Sequence, residues 1–291
     1  MRSKTSTVPR RRWPGRVVLG VGLAVYAGSA LALLLTGGTG VRYTADHQGT
    51  IPMWFRWVPA LVGIALVRLV PLHERPSPEK APGRGLRVQA VVLLAAAALF
   101  AVGLRLLGGG EPAHTALKLL LLLGVPAVLF WVSRRRRAWK PDFPKPQSWQ
   151  RFAPAIPVLA WLLISYATPL AVPVSADAAA LGPAVLVAVL VLGFALNALL
   201  EEVFYRRWLQ TRWEFLLGRW PAIVLASLFW AVWHIGIQGT GPLGVDLASV
   251  VVNQGVQGLF LGYLWSRYRE MWPLLTVHGA TNALPLLISL L

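Results

Sequence analysis

The chain has 291 residues, 56% of them hydrophobic and 13% charged, with mean hydropathy +0.59, which is too apolar and too poor in charge for a soluble domain. A net charge of +17 would suit nucleic acid only on the basic face of a folded soluble domain. With no cysteine, a disulfide framework, a thiolate zinc site and a catalytic thiol are all excluded.

The composition instead predicts an all-α, polytopic transmembrane helix bundle. Arg2, Lys4, Arg10, Arg11, Arg12 and Arg16 precede an apolar run over 17–36. A basic start and the triplet Ala30-Leu31-Ala32 also fit a cleaved signal peptide. Leu33, Leu34 and Leu35 carry the run on to about 20 residues, long enough to span, so an uncleaved first helix is expected.

Further runs cover 54–72, holding Arg56 and Arg68, then 88–107, with Arg105 near its end. Arginines near helix ends snorkel to the interface and are expected to be anchors rather than ligands. The run 116–133 has Lys118 at its start and stops at Arg134-Arg135-Arg136-Arg137. A Pro-rich stretch, 140–151, reads as an extended linker and divides an N-terminal region, 1–151, from a second region, 152–291. The second region holds runs at 152–170, 179–202, 221–237, 246–265 and 272–291, for about nine spans in all.

Lysine and arginine placement orients them. With the N-terminus cytoplasmic and the spans alternating, inside segments hold 23 of the 28 basic residues and outside segments hold Arg42 alone. The expectation is a multi-pass cell-membrane protein whose basic face meets anionic lipid at the cytoplasmic side. Nucleic acid is not needed to explain the charge. Residues 203–220 mix arginine with Trp208, Trp213, Phe215, Leu216 and Leu217, a composition that suits either a helix lying in the headgroup region or a connector at the interface.

Against this background the stretch LLEEVFYRRW, 199–208, stands out. A carboxylate inside a lipid-facing helix costs about 2.5 kcal/mol or more to insert, so it marks a candidate functional site. On a helix Glu202 and Arg206 share a face, acid first, the better order for an ion pair. Glu201 lies about 100° away, with Asn197 one turn before it, and is the acid left for other work. His234 and His278 also fall inside predicted spans, with Asn282 one turn after His278, whereas His47, His73 and His114 fall in predicted loops. Polar groups in a bilayer need partners, which favours bringing these together.

Depth at 1.5 Å per residue places Glu201 roughly 8 Å before Arg206-Arg207, taken as the cytoplasmic marker, and His278 about 10 to 14 Å beyond Arg269 and Glu270. A site reachable from the cytosolic leaflet is expected. His234, about 22 Å from Arg219 on a straight helix, fits only if part of 208–226 stays at or outside the interface or the span tilts.

Three motifs in order, EEVFYR from Glu201, WAVWH ending at His234 and HGATN from His278 to Asn282, resemble the EExxxR, FxxxH and HxxxN signatures of the CPBP intramembrane proteases. That family includes the CAAX prenyl endopeptidases and the bacterial Abi proteins. The resemblance covers roughly 152–291. The second motif carries Trp230 where the family usually has Phe, which keeps an aromatic there.

The resemblance implies endoproteolysis of a membrane-associated protein or peptide. Glu201 and His234 would position and deprotonate water, His278 and Asn282 would stabilise the oxyanion, and Glu202 with Arg206 would hold the helix. Two histidines and a glutamate (Glu201, His234, His278) could also bind zinc and leave a position for water, although HExxH is absent; metal-dependent and glutamate-based mechanisms both stay open. The competing readings are a non-catalytic immunity or scaffold protein that retains the fold, and a transporter, because intramembrane acids and histidines also mark ion paths.

Overall fold

The computed structural model of the chain describes residues 13–44, 49–70, 83–135, 148–171, 182–239 and 241–290. The basic segment before residue 13, most of the linker, His47 and His73 lie outside them.

The apolar runs become helices: α1 Trp13–Thr36, α2 Trp54–Leu69, α3 Arg84–Leu106, α4 Ala113–Arg135, α5 Ala155–Tyr166, α6 Pro183–Leu217, α7 Arg219–Gln238, α8 Leu243–Tyr268 and α9 Trp272–Ile288. Six of these, α1, α3, α4, α6, α7 and α8, are long and apolar enough to cross a membrane. By contrast α2, α5 and α9 have 16, 12 and 17 residues, short of the roughly 20 that a straight span takes. A small antiparallel hairpin, β1 Gly40–Arg42 and β2 Thr50–Pro52, joins α1 to α2. It buries Val41, Tyr43 and Ile51 with Leu33 and Val252 in a cluster of its own.

The centre of the bundle is α8, most of which is buried, whereas α1 and the outer half of α6 leave most of their surface to lipid. Polar side chains on α8 are partnered across the bundle. Asn253 accepts from Arg56 Nε at 2.9 Å, and Gln257 accepts from Trp161 Nε1 at 3.2 Å. Arg56 is therefore not a snorkelling anchor. It is buried, held by Asn253, and its guanidinium lies 4.5 Å from the Tyr43 ring centre. Elements from either side of residue 151 pack directly on one another, α1 on α7 and α8, and α2 on α5 and α8.

Side-chain contacts sort the helix ends into two faces. One face gathers the start of α1 beside Leu217, Gln89 with Arg212 and Ser133, Arg267 on the Val70 carbonyl, Trp272 on the Arg151 carbonyl, and Arg269 paired with Glu214. The other gathers the hairpin, the 107–112 loop and the end of α7, through Arg42 on the Gln238 carbonyl and the close approach of Gly109 to Gly236.

The acid-bearing helix is longer than its apolar run suggests. With Pro183 in its first turn after Gly182, α6 runs to Leu217, roughly 50 Å at 1.5 Å per residue. The stretch 203–217 is not a separate interfacial helix: it continues α6 into the core, with Phe204, Tyr205, Arg206 and Leu209 fully buried. Enough apolar surface on Phe204, Tyr205 and Leu209 meets α8 and its neighbours to outweigh the basic composition that suggested a surface element. The turn comes at Gly218, whose φ of 94° is open to glycine alone without strain.

Candidate active site

That turn resolves the depth problem. Arg206 is buried, so it marks no interface. Counted from the Gly218 turn, Glu201 lies about 24 Å up α6 and His234 about 22 Å up α7, at one level on antiparallel neighbours. Lys118 lies about 25 Å up α4 from Arg135, at the same level.

Glu201 and Glu202 occupy a short α-helical segment, Leu200–Glu202, between two π-helical segments, Phe194–Leu199 and Val203–Gln210. Such wide turns recur at functional sites because they swing side chains off the regular helical faces. Lys118 opens another π segment, Lys118–Gly124, and His234 sits where α7 tightens, its N–H donating three residues back to Ala231 O. All of these functional groups stand at irregularities in otherwise apolar helices.

Both oxygens of Glu201 are held. Lys118 Nζ donates to Oε1 at 2.7 Å and also to Asn197 Oδ1 at 2.7 Å, and Trp230 Nε1 donates to Oε2 at 2.7 Å. A carboxylate offers about four lone-pair sites, so each oxygen keeps acceptor capacity beyond these bonds. His278 donates through Nδ1 to Glu202 Oε1 at 2.8 Å, and its Nε2 lies 4.0 Å from Glu201 Oε2. His234 donates through Nδ1 to the Trp230 carbonyl at 2.9 Å, which leaves Nε2 as its acceptor. The Trp230 ring stands edge-on to both histidines, with centroids 5.2 Å and 5.4 Å away.

The sequence-predicted residues therefore meet, with one change of role. Glu202 forms the expected pair with Arg206 at 3.3 Å and also holds His278, so it supports the site directly. Asn282 is exposed on the wall of the same cavity, which encloses about 1580 Å³ and is also lined by Glu201, Trp230, His234 and His278.

Two site residues were not singled out from sequence. Lys118 is 1% exposed, although it stood at the start of an apolar run like any interfacial anchor. His114, expected in a loop, occupies the first turn of α4 and stacks on Trp233, which stacks on His234 at 3.8 Å. The signal available for Lys118 was its being the only lysine inside a predicted span.

Among the described residues no three of His, Asp and Glu are grouped to hold a metal ion. The ammonium of Lys118 already sits on Glu201 Oε1, a like charge beside any cation that this carboxylate would hold. As arranged, the set does not fit zinc, and no step below passes through a metal.

Residues 183–284 match the model of the Rce1-like type II CAAX prenyl endopeptidase family, in agreement with a CPBP intramembrane protease. The matched segment contains Glu201, Glu202, Trp230, His234, His278 and Asn282. No curated protein and no solved structure matches the chain. With its six candidate spans, the match makes this a multi-pass membrane protein.

Proposed function

We propose that the chain is an intramembrane endopeptidase of CAAX type that hydrolyses a peptide bond of a membrane-associated protein or peptide with water activated by Glu201. The observation that carries this reading is the convergence of one acid and two imidazoles, from α6, α7 and α9, on a single cavity.

In this reading a water held by Glu201 and by Nε2 of His234 attacks the scissile carbonyl carbon. Its proton passes to the base and then to the leaving nitrogen as the C–N bond breaks. The side-chain amide of Asn282 donates to the oxyanion, and one turn away His278, held by Glu202 through Nδ1, does so through Nε2 when both of its ring nitrogens carry a proton; a single well-placed donor is worth about 2.7 to 4 kcal/mol. Glu202 fixes the ring of His278 from behind. Lys118 and Trp230 are positioning residues: by occupying one lone pair on each Glu201 oxygen, they orient the other two. The long apolar flank of α6 beside the site suits a substrate that arrives through the membrane.

The test is cleavage of a peptide library by the purified full chain in bilayers. Glu201→Ala, His234→Ala and His278→Ala are each expected to abolish turnover while the thermal unfolding transition persists. Turnover retained by Glu201→Ala would reject the mechanism.

A further inference from the structure

We infer that Arg56 holds a carboxylate of the substrate inside the cavity, so that the enzyme selects peptides carrying a free acid group near the scissile bond. This rests on the protease reading above and adds to it a specificity-determining residue. That residue comes from α2, outside the segment 183–284 that matches the family.

Three observations carry the inference. The first is an uncompensated charge. Arg56 is 3% exposed, yet among the described residues no carboxylate pairs with it. Lys118 and Arg206, comparably buried, each sit on a glutamate, and Arg212 is held by three oxygen acceptors. On Arg56 only Nε is taken, by Asn253, and the Tyr43 ring offers the guanidinium a π face alone. The Nη pair is left as a planar fork, which a carboxylate matches with two parallel bonds. A buried cation is costly without a partner, and one unmet positive charge is matched by one negative charge.

The second is position. Arg56 lines the same cavity as Glu201, His234 and His278. The Tyr43 ring on which it rests carries a hydroxyl 2.7 Å from that of Tyr166, and Tyr166 donates at 3.0 Å to the carbonyl of Ala280, two residues after His278. These contacts set the guanidinium on the order of 10 Å from the His278 turn, which a peptide covers in a few extended residues at roughly 3.3 Å each.

The third is the wall between them. Gln254 and Gln257 follow Asn253 on α8, line the cavity and are 4% and 1% exposed. One end of each side-chain amide is held, by Gln238 and by Trp161, and the other end has no partner. Buried amide ends with nothing to bond are costly, and they suit a ligand that brings a backbone of its own N–H and C=O groups.

The carboxylate comes from the chain terminus or from an acidic side chain, and the experiment separates the two. The peptide library is made with free and with amidated C-termini, and the amidated set is varied between Glu and Gln at each position. Two quantities are read: kcat/KM, and retention by immobilised Glu201→Gln protein, quantified by mass spectrometry, which needs no turnover. An acid preference of at least ten-fold is expected. Found between free and amidated termini, it identifies the chain terminus; found between Glu and Gln, it identifies a side chain.

Arg56→Gln should bring the preference close to one, mainly through KM, and Arg56→Lys should keep part of it. Asn253→Asp, which sets a carboxylate beside Nε and leaves the arginine in place, should erase it too, and this variant decides the matter if Arg56→Gln does not fold. A guanidinium that only braced the hairpin would lower cleavage of both forms alike and leave the preference unchanged.

Equal handling of acid and neutral forms by the parent, or a preference that survives Arg56→Gln or Asn253→Asp, would overturn the inference and leave the Glu201 mechanism intact. Turnover by Glu201→Ala would remove the mechanism, and retention would still report whether Arg56 holds the acid.

Discussion

The indole N–H of Trp230 donates to Oε2 of Glu201 at 2.7 Å. This places the aromatic of the second motif in the hydrogen-bond shell of the acid, a position in which a phenylalanine could not act as a donor. A hydrogen bond to a charged group contributes about 1.5 to 3 kcal/mol. Trp230→Phe keeps the ring between His234 and His278 but loses the donor, so kcat is expected to fall about ten-fold, or roughly 1.4 kcal/mol, with little change in KM. Trp230→Ala also removes a buried side chain at a cost of about 3 to 5 kcal/mol, and its unfolding temperature should drop where that of the phenylalanine variant does not. Equal kcat for Trp230→Phe and the parent would show that the donor does not position Glu201.

Lys118 and Glu201 are 1% and 2% exposed and 2.7 Å apart. Removing one partner of a buried pair strands the other and costs about 3 to 5 kcal/mol, whereas replacing both is far less damaging. Lys118→Met is therefore expected to lower thermal stability strongly and to cut kcat at least 100-fold without a matching rise in KM. Adding Glu201→Gln to Lys118→Met should restore most of the lost stability and none of the activity. Additive stability losses in the double variant would mean that the two residues are not coupled.

The helices and the acid and histidine members of the site were legible in the sequence because apolar runs interrupted by carboxylate or imidazole are costly unless functional. Lys118 was not, because a lysine at the edge of an apolar run has the same local signature whether it snorkels to the headgroups or turns inward. The length of α6 was misjudged for a related reason. Arg206 and Arg207 read as an interface, yet Glu202 and the Trp230 ring accommodate the buried Arg206. The hairpin went unread because its strands are three residues each. Pairing across α4 and α6, or α2 and α8, is a property of packing that no local pattern encodes.

Gly109 has φ of 73°, and a Cβ there would fall on the carbonyl oxygen of Gly236 in α7. A side chain at this position meets both left-handed backbone strain, about 1 to 2 kcal/mol, and a backbone clash that cannot be relieved by a rotamer change. Gly109→Ala should lower the unfolding temperature by several degrees. Gly110→Ala, one residue on and facing open space, should leave it within one degree. If both variants melt alike, the loop does not pack on α7 as described.

Metal dependence can be decided by removal. With the ammonium of Lys118 at 2.7 Å from Glu201 Oε1, a divalent ion bound by the same carboxylate would lie within a few ångströms of a positive charge. At about 4 Å and an effective dielectric of 20, each unit of like charge costs about 4 kcal/mol. Peptide cleavage is therefore expected to survive dialysis against EDTA and 1,10-phenanthroline, to gain nothing from added zinc, and to proceed with well under one metal ion per chain by elemental analysis. Loss of activity on chelation with recovery on adding zinc would require Lys118 to leave Glu201 in the working enzyme. In that case Lys118→Met should bind zinc more tightly than the parent, which calorimetry on the two proteins would resolve.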